Sequence, residues 1–161
     1  MSLSVSSSVS DILDRVATRV VDNTHWPDRL ADIRRRARKG QPVSVHLAVF
    51  VEPFLGFVLD GTKTVESRFS INRCAPYRQV GIGDLLLVKQ SGGGITAICE
   101  IGSTAYYELN STEFTFIREK FSRQLAITDE AFWLSKRSAC FASLFRVQNV
   151  CKIEPLAFTK K

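Results

Sequence analysis

The sequence predicts an α+β protein: a small mixed β-barrel over residues 43–161 with short peripheral helices, preceded by an N-terminal helical hairpin over 10–42. Three observations carry this expectation. Apolar residues recur at helical spacing as far as Lys39. From Val43 onward they fall into short, β-branched runs. Short helical segments interrupt those runs without a regular strand–helix–strand alternation, which fits a small mixed barrel better than a doubly wound sheet.

Residues 1–9, rich in serine, are expected to be a disordered lead-in, and lack the basic start and apolar core of a secretory signal. A first helix over 10–22 places Ile12, Val16 and Val20 at i+4 beside Leu13, Ala17 and Val21, with Ser10 and Asp11 as N-capping oxygens. Asn23 to Pro27 breaks it, because the residue before a proline avoids the helical region. The second helix runs from Pro27 or Asp28 to Lys39 on the stripe Leu30, Ile33 and Ala37, and Gly40 stops it.

Val43 to Val51 reads as a strand and Glu52 to Asp60 as a short helix ended by Gly61. Lys63 to Phe69 alternates as a strand, followed by a loop over 70–83 rich in Arg, Pro and Gly. Asp84 to Lys89 is a buried strand, and Ser91 to Gly94 is a turn into a strand from Ile95 to Ile101, extended through Thr104 to Tyr107. Helices are expected from Ser111 to about Gln124 and from Thr128 to Arg137, then two closing strands, Cys140 to Val147 and Val150 to Phe158.

Hydrophobic residues make up 45% of the 161 and charged residues 24%, an ordinary globular balance for one core. No apolar run approaches the roughly 20 residues that cross a bilayer, so no membrane partner is expected. Cys74, Cys99, Cys140 and Cys151 are widely spaced, three of them in apolar runs, as in a reduced cytoplasmic protein. His25 and His46 have no Cys or His partner at metal-ligand spacing, so no metal or other cofactor is expected. The net charge of +6 favours polyanion partners through counterion release.

The stretch that carries chemistry is Gly61-Thr62-Lys63-Thr64-Val65-Glu66-Ser67-Arg68. On an extended chain Glu66 and Arg68 share a face, whereas Lys63 joins them only if the Gly61–Thr62 turn or a bulge redirects it. The result would be two cations around one carboxylate, with Arg68 able to grip phosphate or a planar base edge. Spacing alone favours an exposed Glu66–Arg68 pair with Lys63 in solvent.

This stretch is similar to the ASCH family's pattern G-x-K-x-x-E-x-R, with Gly61, Lys63, Glu66 and Arg68 filling the defined positions. Val80 to Val88, with its Gly83-Asp84 pair, resembles the family's approach to the next barrel strand, and Phe141 to Val147 with Glu154-Pro155 resembles its ending. The resemblance covers about 45–158 and leaves out the first 42 residues. It implies a PUA-like barrel whose cleft binds RNA or a nucleoside-like ligand through Lys63, Glu66 and Arg68. One branch of the family hydrolyses an acetylated cytidine, with Lys and Thr as base and nucleophile. That threonine is Glu66 here, and Thr64 and Ser67 would lie on the wrong face, which disfavours amidohydrolase activity. Relatives with the K-x-x-E-x-R form include ribonucleases. The alternative is therefore a slow hydrolase of RNA or a modified nucleoside, with Lys63 and Glu66 as its chemistry.

Other residues extend the candidate site. Arg73, Tyr77 and Arg78 lie in the loop after the motif, where they could hold phosphate and stack a base, or simply be a solvated rim. Lys89 ends a strand before the glycine turn. Trp133, at i,i+4 from Arg137, could stack on a ligand or fill the core. Arg34, Arg35, Arg36, Arg38 and Lys39 are the densest positive charge, either a nucleic-acid surface or a solvated helix face.

Overall fold

The computed structural model describes residues 2–3, 7–74 and 76–158. In chain order the elements are β1 (Ser2–Leu3), α1 (Ser7–Ala17), α2 (Trp26–Arg38), β2 (Val45–Phe50), α3 (Phe54–Leu59) and β3 (Val65–Ser70). They continue with β4 (Leu85–Gln90), β5 (Ile95–Glu108), α4 (Ser111–Leu125), α5 (Glu130–Ser135) and β6 (Phe141–Leu156). The chain is α+β, as its periodicity predicts.

Several boundaries move for local reasons. Helix α1 starts at Ser7 and β1 pairs with β2, so structure enters the expected lead-in; residues 1 and 4–6 lie outside the described residues. It ends at Ala17, which leaves Val21 70% exposed. The Asn23 side chain receives the N–H groups of His25 and Trp26 and starts α2. Asn110, not Ser111, caps α4 by accepting from Thr112 and Glu113. The two expected closing strands are one, β6, because Asn149 takes a left-handed φ of 52° and the bend is absorbed within the ladder. Cys140 precedes β6 and is exposed.

The strands form one sheet in the order β1-β2-β4-β5-β6-β3. Strands β2 and β4 are parallel and the remaining pairs antiparallel. Register shifts at three places bend the long β5–β6 pair. Among the described residues the sheet does not close: no ladder joins β3 to β2, so the expected barrel is an open sheet. Strand β2 has β4 on one side and β1 at its start on the other, and its far end lines a cavity instead of pairing with a strand.

Strand β4 shows why its Leu-Leu-Leu-Val run is continuous. Leu85 and Leu87 face one apolar cluster, Leu86 and Val88 another, so both faces are buried. The α1–α2 hairpin covers the first face with Leu13, Val16, Trp26 and Leu30. Leu55 and Val58 of α3 pack on the second. At the β3 end, Ile117, Leu125 and Trp133 cover Val65, Ala142 and Leu144. Among the described residues no helix is long and apolar enough to cross a membrane.

The hairpin is joined to the sheet by polar contacts as well. Trp26 Nε1 donates to the Asn149 carbonyl at 2.7 Å. Arg29 spans from Glu100 (2.6 Å) to the Gly83 carbonyl (2.6 Å), and Asn149 Nδ2 also donates to Glu100. Burial pushes the Glu100 carboxyl up, but the hydrogen bonds from Asn149 and Arg29 and the charges of His25 and Arg29 hold it below the usual range. A carboxyl lowered by folding contributes stability that is complete above its unfolded value and is lost as pH falls through its folded one. Because Trp26 is fully buried between α2 and the sheet, Trp26→Ala should lose about 3–5 kcal/mol in urea denaturation. A loss under about 1 kcal/mol would show that the hairpin is an appendage rather than part of the core.

Candidate functional site

The motif reaches its geometry through the turn before β3. Gly61 has φ +83°, a conformation open to glycine. The Lys63 N–H then donates to the Phe57 carbonyl at 2.8 Å and the Thr64 N–H to the Gln124 carbonyl at 2.9 Å. Lys63 thus precedes the strand and escapes its alternation. Its side chain turns inward and is 5% exposed.

Lys63 Nζ lies 3.4 Å from Glu66 Oε2 and donates to the Leu125 carbonyl at 3.2 Å. It also sits 5.6 Å from the centre of the Phe54 ring. Arg68 NH1 lies 2.9 Å from the other carboxylate oxygen, Oε1. Each oxygen of the buried Glu66 therefore faces one cation, and the trio carries a net positive charge. Arg68 is partly exposed, with N–H groups left to offer. Burial draws the Lys63 amine below the usual lysine range, and the Glu66 charge only partly opposes it.

The three side chains line one cavity of about 300 Å³. Its walls come from both unclosed edges of the sheet: Val49, Phe50 and Val51 at the end of β2, and Glu66 to Phe69 along β3. The cavity is the seam at which a barrel would have closed. Phe54, Ile127, Phe132 and Lys136 complete it.

Ser67 lines this cavity although its side chain alternates away from Glu66 and Arg68. The ladder explains how. Thr64 and Ser70 carbonyls accept from Val147 and Cys140 of the β6 side, and the register between is one for one. Antiparallel pairs alternate, so Glu66 and Arg68 bond β6 while Ser67 and Phe69 turn their N–H and C=O to the open edge.

The remaining predicted residues lie elsewhere. Tyr77 is buried against Tyr106 and Phe141, and Arg78 lies over the Tyr77 ring. Arg73 pairs with Glu108. None of the three lines the cavity. Trp133 is 4% exposed in the core beside Phe69 and Phe114, so packing has claimed it. Lys89 folds back onto the Gln90 carbonyl. The basic run is largely engaged within the hairpin: Arg34 and Arg38 with Asp14, Arg35 with Asp32, and Arg36 with the Pro42 carbonyl, while Lys39 is exposed. His46 is buried 2.7 Å from Asp84, and neither lines the cavity. Among the described residues no cluster of three or more His, Cys, Asp or Glu is grouped to hold a metal.

Sequence reasoning missed Phe54, Ile127, Phe132, Lys136 and the Ser67 backbone. Phe54 and Phe132 read as core residues of short helices, and nothing in their spacing distinguishes a cavity wall from a packed interior.

Solved structures agree with this architecture. The crystal structure of ASCH from Zymomonas mobilis matches with a TM-score of 0.55 and 13% identity, over 68% of this chain and 71% of that chain. Two single-site variants of the same Zymomonas mobilis protein match at TM-scores of 0.54 and 0.53 with 13% and 12% identity, over 68% of this chain and 73% and 71% of theirs. No protein-family model and no curated protein matches the sequence. The chain has the ASCH-domain fold, a mixed α+β architecture around an open sheet.

Losing one cation from the trio should differ sharply from losing its anion. Lys63→Met should leave stability within about 1 kcal/mol, since it removes a buried charge and leaves Glu66 paired with Arg68. Glu66→Leu should cost about 3 kcal/mol, because Lys63 remains buried without its counterion. Between the lowered Lys63 value and the ordinary lysine range the unfolded chain holds more protons, so stability should rise with pH there in the parent but not in Lys63→Met. Chemical denaturation across that range checks all three; equal losses in the two variants would contradict the assignment.

Proposed function

We propose that the seam cavity binds single-stranded RNA or a nucleoside-like ligand. The observation that carries this reading is a Lys63–Glu66–Arg68 trio, with Lys63 and Glu66 buried and Arg68 partly exposed, lining a cavity bounded by aromatic rings and an open strand edge. A cavity of about 300 Å³ suits a small ligand such as one nucleoside. Arg68 offers its unused N–H groups to phosphate or a base edge, oriented by Glu66. Phe132 offers an aromatic surface for a base. The Ser67 N–H and C=O form an adjacent donor and acceptor, complementary to the donor–acceptor edge that a base carries. The likeness to ASCH proteins supports the reading through the fold alone.

A second reading is a slow hydrolase of RNA or a modified nucleoside. The lowered Lys63 amine favours it, because more of that group is neutral near physiological pH than for a lysine in water. Glu66 weighs against it: each carboxylate oxygen already faces a cation, which leaves neither free to take a proton from a substrate. We therefore favour binding without fast turnover.

A single-stranded RNA oligomer should bind with affinity that falls steeply as salt rises. Arg68→Ala should weaken it about tenfold or more, whereas Arg146→Ala, opposite Val65 on the neighbouring strand but outside the cavity lining, should change it little. Ser67→Pro should also weaken binding, since it removes an outward-facing N–H that an edge strand can lose without unfolding; Ser67→Ala, which keeps that N–H, should bind normally. Absence of RNA and nucleoside affinity at low salt would refute the proposal. Incubation with N4-acetylcytidine and RNA, with and without manganese, tests the second reading: product lost in both Lys63→Ala and Glu66→Ala would establish a hydrolase.

A further inference from the structure

The seam cavity has a neighbour. A second cavity of about 420 Å³ lies along the same edge of β3, lined by Ser70, Ile71, Asn72, Cys74, Ser135 and Ser138. The two share Phe69 and Lys136, so they adjoin in a line between the β3 edge and the end of α5, taken together as a groove. Lys136 stands at the junction. It is half-buried, and among the described residues no carboxylate lies within ion-pair distance; its Nζ rests 5.4 Å from the Phe132 ring centre. A cation held without a counterion where two cavities meet is suited to an anion that links their contents.

The second cavity's lining fits the same ligand chemistry. Asn72, Ser138 and the hydroxyls of Ser70 and Ser135, which donate to the Asn72 and Phe132 carbonyls, supply polar groups, and among the described residues no acidic side chain lines it. Ile71 is 61% exposed, an apolar surface left uncovered beside those polar groups. A nucleotide has this combination: a sugar that takes hydrogen bonds and a base whose face packs on an apolar side chain.

We propose that the groove holds two successive nucleotides of a single strand, one in the seam cavity and its neighbour beside Ile71, with Lys136 on the phosphate that links them. This rests on the reading of the seam cavity as a nucleoside site and adds a second subsite to it. The ligand class thereby narrows from a free nucleoside to a phosphodiester-linked chain.

The test compares the four ribonucleosides with the sixteen ribodinucleoside monophosphates by calorimetry or ligand-observed NMR on the full chain. The best dinucleotide should bind at least about tenfold tighter than either of its nucleosides. Replacing its phosphodiester by an uncharged methylphosphonate should abolish most of that gain. In Lys136→Gln most of the preference for the charged linkage should be lost, leaving only what Arg68 contributes. A nucleoside that binds as tightly as every dinucleotide containing it would overturn the second subsite and leave the seam site standing. Equal affinity for charged and uncharged linkages in the parent protein would overturn the role of Lys136. Failure of every nucleoside and dinucleotide to bind would overturn both readings. The parent-protein comparison needs no variant, so the proposal stays falsifiable even if Lys136→Gln folds poorly.

Discussion

An open sheet has two edges whose backbone groups need partners, and in this chain the edges meet across a cavity instead of pairing. Strand β1 takes the start of β2, and the end of α4 takes the Thr64 N–H. What is left, the end of β2 and the middle of β3, faces the gap from opposite sides. The helices cannot fill that gap. Helix α3 commits Leu55 and Val58 to one sheet face, and Trp133 of α5 is buried on another, leaving Phe54 and Phe132 at the walls. The cavity is thus a consequence of how the three apolar clusters are shared out.

The trio of charges sits where that constraint is tightest. A buried lysine and a buried glutamate add little net stability as a pair, because desolvation consumes most of their attraction. Apolar side chains could have filled the same volume. Retaining a net cation at the back of a cavity makes physical sense for an anionic or strongly polar ligand, which would supply the charge or hydrogen bonds that the site lacks. Burial draws the Lys63 amine below the usual lysine range, against the opposing charge of Glu66.

Much of this was legible in the sequence, and the failures have physical causes. The helical hairpin, the motif turn and the doubly buried β4 follow from periodicity and from Gly61, which local sequence encodes well. The convergence of Lys63 on Glu66 required a turn that Gly61 permits but does not dictate. Closure of the sheet was not legible, because whether β3 meets β2 depends on how α3 and α5 pack, not on either strand's own residues. The basic run of α2 was ambiguous for a similar reason: Asp14, the partner of Arg34 and Arg38, lies on another helix. Tyr77 and Trp133 suited ligand stacking as well as burial by composition, and packing decided both for the interior. Lys136 gave no signal, since its importance comes only from standing between two cavities.

On the proposed reading the unclosed seam, rather than the basic helix, recognises a polyanion. Backbone amide shifts during titration with a single-stranded RNA hexamer test it directly. Recognition at the seam should shift amides at 63–72 and 127–138 and leave those of 34–39 nearly still. Shifts confined to 34–39, with the seam silent at saturation, would contradict it.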